Sequence, residues 1–266
     1  MIDIHPSAIV DPNAELGDDV VIGPYCIVGP NVKIGNETRL MSHVVVDGYT
    51  TMGQRNLVYP FVSLGMLAQH KRSNAPDAVL VIGDDNTFRE HVTAHVGSEV
   101  DHKITTIGNR NLFLVASHIA HDCVLGDDIV MSNNATLAGH VHVGNKAVIG
   151  GLAAVLQFTR IGEGAMIGGM AGITRDVIPY GLVMGGGRSA LSGLNLIGLQ
   201  RAGVPKEEIM ALQKAYKILF NREDERLFAE RLVELEENTV LNQNPLVKSV
   251  IEFVKHPSKN NILQPE

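Results

Sequence analysis

From Leu16 onward an apolar side chain recurs at every sixth position, through Ile22, Val28, Ile34, Leu40, Val46, Met52, Val58 and Leu64. Glycine follows directly at Gly17, Gly23, Gly29, Gly35, Gly53 and Gly65. Two positions before the apolar residue sits a small or β-branched one: Ala14, Val20, Cys26, Val32, Thr38, Val44 and Thr50. The phase persists to Ile82, Phe88 and Ala94, shifts by one residue, and then runs unbroken from Ile107 through Phe113, Ile119, Leu125 and onward to Ile173. Neither an α-helix nor a simple strand has this period. It is the period of a parallel β-helix, in which each hexapeptide is one short strand and one turn, and three of them close a coil of about 18 residues. The recurring aliphatic residue points inward, and the glycine relieves crowding where the chain bends. Few aromatics and no tryptophan suit a core made of thin, similar layers.

Two stretches interrupt the register. Residues near 66–79, within MLAQHKRSNAPDAVL, put His70 and Pro76 where apolar residues are due, and residues near 96–105 are polar. Insertions in a solenoid become loops on one face, often the binding face. Beyond Ile173 the period stops, and from Pro205 it becomes helical: Ile209, Leu212, Tyr216 and Leu219 form one stripe, with further helices around Phe228–Leu235 and Leu246–Val254. The expected organisation is a β-helix over 1–189 and a small helical domain over 190–266.

The net charge of −7 argues against nucleic-acid binding. No run of apolar residues is long enough for a transmembrane span, and the N-terminus lacks the pattern of a signal peptide, so a cytoplasmic protein outside the integral-membrane class is expected. Cys26 and Cys123 lie far apart and suggest no disulfide framework.

Within this register the stretch SHIAHDC over 117–123 holds His118, His121 and Asp122. Residues one coil apart lie above one another. His121 is therefore expected beneath Gly139, Gln157 and Arg175, and Asp122 beneath His140, Phe158 and Asp176. His118 and His121 flank the inward Ile119 and lie outside the core. A histidine paired with a carboxylate suits general-base work, and a glycine leaves its N–H open to a developing oxyanion. The patch also has the donors for a zinc ion, although no cysteine cluster accompanies them. Histidines of an ordinary surface or subunit contact are a third reading. Ser117, at the small inward position, is a poor nucleophile.

The hexapeptide coils, SHIAHDCVLGD, NNATLAGHVHVGN over 133–145 and AVLQFTRIG over 154–162 closely resemble the UDP-N-acetylglucosamine O-acyltransferases of lipid A biosynthesis. The resemblance covers nearly the whole chain. It implies a left-handed parallel β-helix, a homotrimer with sites between subunits, and transfer of an (R)-3-hydroxyacyl chain from acyl carrier protein to a UDP-sugar hydroxyl, without metal or other cofactor. By motif, His121 matches the general base, Asp122 its orienting residue and the Gly139 N–H the oxyanion donor. His118, His140 and Gln157 match substrate contacts, as do Gln69, His70 and Arg72 in the first interruption. Asn195 and Arg201 match nucleotide-side residues, and Met166 and Gly169 the acyl pocket.

The chain departs from the family pattern at several points. His70 replaces an acid, and Leu156 stands where the family has a histidine. The basic pair is thinned to Gln200–Arg201–Ala202. A glycine at 169 implies a longer acyl pocket. Arg160, Arg175, Arg188 and Arg201 are candidate contacts for an acidic carrier protein. Leu156 keeps open a 3-amino sugar acceptor. The N-acyltransferase later in the pathway carries a separate N-terminal uridine-binding domain, whereas repeats here begin by about residue 8. A non-catalytic hexapeptide scaffold is the reading from outside enzymology.

Overall fold

The hexapeptide register folds as its period requires. A computed structural model describes every residue except 72, 74, 100, 101, 187, 188, 222 and 266. The chain winds as a left-handed parallel β-helix with three faces of 11, 9 and 8 short strands among the described residues. The recurring aliphatic residues stack inside: Ile22, Leu40, Leu64, Ile119, Met131 and Leu137 are all within 1% of full burial. Their partners two positions earlier, such as Val20, Val44 and Ala135, are also fully buried. Each coil contributes a thin apolar layer, and hydrogen bonds between neighbouring coils satisfy the backbone.

The glycines after the inward residue act through close approach. A Cβ at Gly23 would meet the Met41 carbonyl of the next coil, and one at Gly17 the Asn36 side chain. The left-handed backbone that turns each corner lies two residues further on, mostly at residues other than glycine, including Asp122 (φ 58°), Asn134 (φ 60°) and His140 (φ 62°). Asx and similar residues tolerate that region best, but here the coil imposes it broadly.

Successive second-face strands pair His118 with Thr136, Thr136 with Ala154 and Ala154 with Gly172, so residues 18 apart do stack. The expected register fails after Ile173. The third face pairs Ile161 with Val177, and Asp176 accepts from the Arg160 N–H at 2.8 Å and from its Nε at 2.7 Å. Asp176 therefore lies over Arg160 and not over Phe158, and Arg175 leaves the His121 column. The last coil is shorter because its chain turns directly into the exit strand 181–183, which an antiparallel strand, Leu191–Leu194, then caps.

The three corners differ in character. The corner from the third face to the first is charged and solvent-facing, with Arg55 on Asp85 and Arg110 on Asp127 and Asp128. The corner from first to second carries a column of rings, Tyr25, His43, Phe61 and His91, at about 5 Å spacing. The corner from second to third carries the histidines and both interruptions. Strand Ser63–Met66 leads into the first interruption and Val79–Ile82 leads out; the second runs between strands Thr93–His95 and Ile104–Ile107.

Among the described residues four α-helices follow: α1 (Leu196–Arg201), α2 (Lys206–Leu219), α3 (Phe228–Glu237) and α4 (Pro245–Lys255). The short α1 precedes the three expected helices. It is built by Asn195, whose Oδ1 accepts from Gly198 N–H while its Nδ2 donates to the Gly164 carbonyl. The terminal segment straps back onto the coil, where Leu263 N–H donates to Asp176 and Asn260 Nδ2 reaches the Gln157 carbonyl and Thr159 Oγ1. Among the described residues no helix is long and apolar enough to cross a membrane.

Candidate active site

His121 and Asp122 are adjacent in sequence, and the left-handed turn at Asp122 lets their side chains face each other. His121 Nδ1 lies 2.8 Å from Asp122 Oδ2. An ionised carboxylate only accepts, so Nδ1 carries the proton and Nε2 is the open lone pair of the neutral ring. Asp122 is nearly buried, and its carboxylate also accepts from Ser98 N–H at 3.0 and 3.1 Å and from Ser98 Oγ–H at 2.5 Å. Burial pushes this carboxyl up, but the bonds from His121 and Ser98 outweigh it and hold it below the usual carboxylate range. Its own N–H donates to Thr105 Oγ1 at 2.8 Å.

One coil above, Gly139 sits directly against the His121 ring. The close contact is the reason for glycine here: a Cβ would lie 2.5 Å from His121 Cε1 and 2.8 Å from Nε2. At the equivalent place on the charged corner, the N–H groups of Asp18, Gln54, Asp84, Asn109 and Asp127 are each taken by an Asx side chain of the next coil. Above Gly139 stands Gln157 instead, and no acceptor among the described residues bonds the Gly139 N–H. His140 adds its ring edge-on to His121 at 5.1 Å and stacks on Phe158 at 4.4 Å, with Lys259 Nζ 3.7 Å beyond the Phe158 ring.

Although outside the coil, the pair is not a surface patch. His121 and His140 are each 7% exposed, with the His70 ring packed on His121 and the Phe158 ring on His140. His70 from the first interruption brings its ring to 5.6 Å from His121, whereas Gln69 beside it is exposed. Arg72 lies outside the described residues. His118 holds Thr93 Oγ1 through Nδ1 at 2.7 Å and is held below the ordinary histidine range by burial, then by the nearby His121.

His95 belongs to the same cluster and was not a sequence candidate. It packs edge-on against His118 at 5.0 Å, is 5% exposed, and its Nδ1 has no partner among the described residues. Burial, with the neighbouring His118 and His121, lowers its pKa to about 4. A histidine kept neutral by the fold stabilises it above the unfolded value near 6.5 and withdraws that stability as pH falls toward 4. Thermal melts across this window should show a loss larger by roughly 2–3 kcal/mol in the wild type than in His95→Gln. Identical pH slopes for the two proteins would refute a neutral buried His95.

His121, Asp122 and His140 place three donor atoms within 4.8 Å of one another, a possible metal set by distance. Asp122 Oδ2, the carboxylate oxygen that faces both histidines, however, already accepts from Ser98 and His121. A cation there would displace those bonds, so the donor set fits an acid–base pair better than a metal ligand set. Neither alternative nucleophile is available. Ser117 is fully buried inside the coil, and the buried Cys123 thiol is pushed up to about 12 by burial.

The remaining candidates lie elsewhere on the chain. Gln157 is exposed one coil above Gly139, beside Leu156, which is 47% exposed. Met166 and the exposed Gly169 lie on the first face and the ring corner, and Asn195 and Arg201 begin and end α1 near the charged corner. Of the candidate carrier contacts, Arg160 is committed to Asp176 and to the Phe253 ring at 4.4 Å, Arg175 and Arg201 are exposed, and Arg188 lies outside the described residues. Along the second face the outward side chains shrink from His118 to Thr136, Ala154 and Gly172, and nothing lies within 4 Å of a Cβ built at Gly172.

A family model described as UDP N-acetylglucosamine O-acyltransferase, domain 2, matches residues 176–263, and bacterial transferase hexapeptide repeats match 2–36 and 13–48. A curated acyl-[acyl-carrier-protein]–UDP-N-acetylglucosamine O-acyltransferase of Caulobacter vibrioides is 45% identical over 99% of this chain and 98% of its own. One from Syntrophobacter fumaroxidans is 50% identical over 82% of this chain and 84% of its own. Among solved structures, the Moraxella catarrhalis UDP-N-acetylglucosamine O-acyltransferase superposes with a TM-score of 0.93 at 41% identity, covering 98% of this chain and 99% of that one.

Proposed function

This chain belongs to the UDP-N-acetylglucosamine O-acyltransferase family, and from that membership we propose that it transfers an (R)-3-hydroxyacyl chain from acyl carrier protein to the 3-hydroxyl of UDP-N-acetylglucosamine, the first step of lipid A biosynthesis. The observation that carries the mechanism is the His121–Asp122 pair set beneath a Gly139 N–H that no acceptor among the described residues bonds. His121 Nε2 takes the proton of the sugar hydroxyl as that oxygen attacks the thioester carbonyl. Asp122 fixes the tautomer and stabilises the imidazolium. The Gly139 N–H receives the developing oxyanion, and collapse of the tetrahedral intermediate expels the phosphopantetheine thiol, which regains the proton from His121. No acyl-enzyme forms, consistent with the burial of Ser117 and Cys123. Neither metal nor organic cofactor has a step.

His118, His140, Gln69, His70, Arg72 and Gln157 contact the sugar nucleotide in this reading. The second face past Ala154 and Gly172, with its small outward side chains, takes the acyl chain. Met166, Gly169, Asn195 and Arg201 lie too far round the prism to join the histidines of their own chain, which supports a homotrimer in which a second copy supplies them. The exposed ring corner, with Phe61 51%, Leu152 62% and Met170 68% exposed, supports the same assembly. We place the enzyme in the cytoplasm, where the soluble carrier protein is found.

The test is an acyl-transfer assay with UDP-N-acetylglucosamine, its 3-amino analogue and a panel of carrier-bound hydroxyacyl chains. Transfer to the 3-hydroxyl sugar supports the reading; exclusive transfer to the amine replaces it, and binding without transfer to either makes the chain a scaffold. Leu156 is the observation that favours keeping the amine acceptor in the panel, since an apolar, half-exposed side chain offers the sugar no hydrogen bond. Leu156→His should raise kcat/KM for UDP-N-acetylglucosamine by about fivefold, the worth of roughly one neutral hydrogen bond. A fall in that ratio would show that the pocket is built around the leucine.

A further inference from the structure

The second interruption inserts residues between strand Thr93–His95 and strand Ile104–Ile107, and its neck is tightly built. Gly97 lies against the backbone of Lys103 and Ile104 so closely that a Cβ there would overlap both. Lys103 N–H donates to the Ser98 carbonyl and Gly97 N–H to the Val79 carbonyl, each at 3.2 Å. This neck places two residues on Asp122: Ser98 donates three contacts to the carboxylate, and Thr105 accepts from the Asp122 N–H. Ser98 is fully buried and its hydroxyl has no bond to anything else among the described residues.

We propose that Ser98 is a positioning residue for acyl transfer: its hydroxyl, held by the neck of the insertion, fixes Asp122 Oδ2 toward His121 Nδ1 and so aims Nε2 at the acceptor. This rests on His121 being the base. Without the Oγ–H bond the carboxylate retains the Ser98 N–H but gains freedom to rotate away from the ring. While it still faces the ring, its less dispersed negative charge draws the Nδ1 proton more strongly. The neck of the insertion, which breaks the hexapeptide period, thereby supports the dyad. The other groups facing the pair are His70, His140 at 3.8 Å from Asp122 Oδ2, and His95 and His118 beyond them; Ser98 touches none of these through its hydroxyl.

The experiment measures pH–rate profiles for wild type, Ser98→Ala, Ser98→Thr, Asp122→Asn, the Ser98→Ala/Asp122→Asn double variant and His121→Ala, with UDP-N-acetylglucosamine and a carrier-bound donor. Ser98→Ala should lower kcat about tenfold, leave KM for the sugar nucleotide within twofold, and move the acid limb of kcat/KM to higher pH. In the Asp122→Asn background the same substitution should cost nothing further, because Ser98 acts through the carboxylate. Ser98→Thr, which keeps the hydroxyl, should restore the wild-type acid limb. A wild-type profile for Ser98→Ala, or a full additional loss in the Asp122→Asn background, overturns the proposal. Turnover retained in His121→Ala would instead overturn the base assignment, so the two failures are separable.

Discussion

His121→Ala should lower kcat for acyl transfer by about a thousandfold, within the range that a positioned general base contributes. KM for the sugar nucleotide should change little, because His118, His140 and the interrupting loops still line the site. The fold should persist. The core beneath His121 is made by Ile119, Leu137 and their neighbours, which the substitution does not touch, and Asp122 keeps all its Ser98 bonds. Steady-state rates together with circular dichroism and the oligomeric state test this directly. Near-wild-type turnover in a folded protein would mean that His140 or solvent takes the proton, and the dyad would lose its role.

The part of this molecule that was legible in advance is the part with a period. Ile119 and Leu137 announce their inward orientation by recurrence, and with them comes the placement of His121 beneath Gly139. That prediction needs only that coils have equal length. Where coil length changes, the reasoning fails for a physical reason: Asp176 slips onto Arg160 because the final coil is shortened by its direct exit into strand 181–183. The interruptions are similarly opaque. Ser98 and His95 sit in or beside residues that have no register, so nothing in their spacing ties them to Asp122 or His118. Only the folded neck at Gly97 brings Ser98 over the carboxylate. Burial of His121 was hidden for the same cause, since the coil alone would leave it outside. Helix α1 was missed because six residues containing Gly198 are too few to display a helical stripe, and its start depends on the Asn195 cap. A polar residue there reads equally well as a cap or a ligand; in a single chain it is the cap.

Gly139→Ala should be nearly as damaging as loss of the base, lowering kcat by about a hundredfold or more, and for a cause that can be isolated. Gly139 does not adopt the left-handed backbone, so alanine costs it no conformational strain, and the coil should form with a melting temperature close to wild type. The added methyl instead occupies space 2.5 Å from His121 Cε1 and 2.8 Å from Nε2, the atom that must reach the acceptor hydroxyl. The backbone cannot yield readily, because His140 N–H is bonded to the His121 carbonyl at 3.0 Å, so the ring must swing away. That motion stretches its bond to Asp122 and turns Nε2 from the acceptor, disabling the base. Damage to the base separates from damage to the oxyanion donor in the His121→Ala background. There the methyl meets no ring, the backbone N–H at position 139 is still present, and the substitution should add no further loss to the residual rate. A full additional loss in that background would locate the damage in the oxyanion site alone, while a wild-type rate for Gly139→Ala would remove the close packing of ring on glycine from the mechanism.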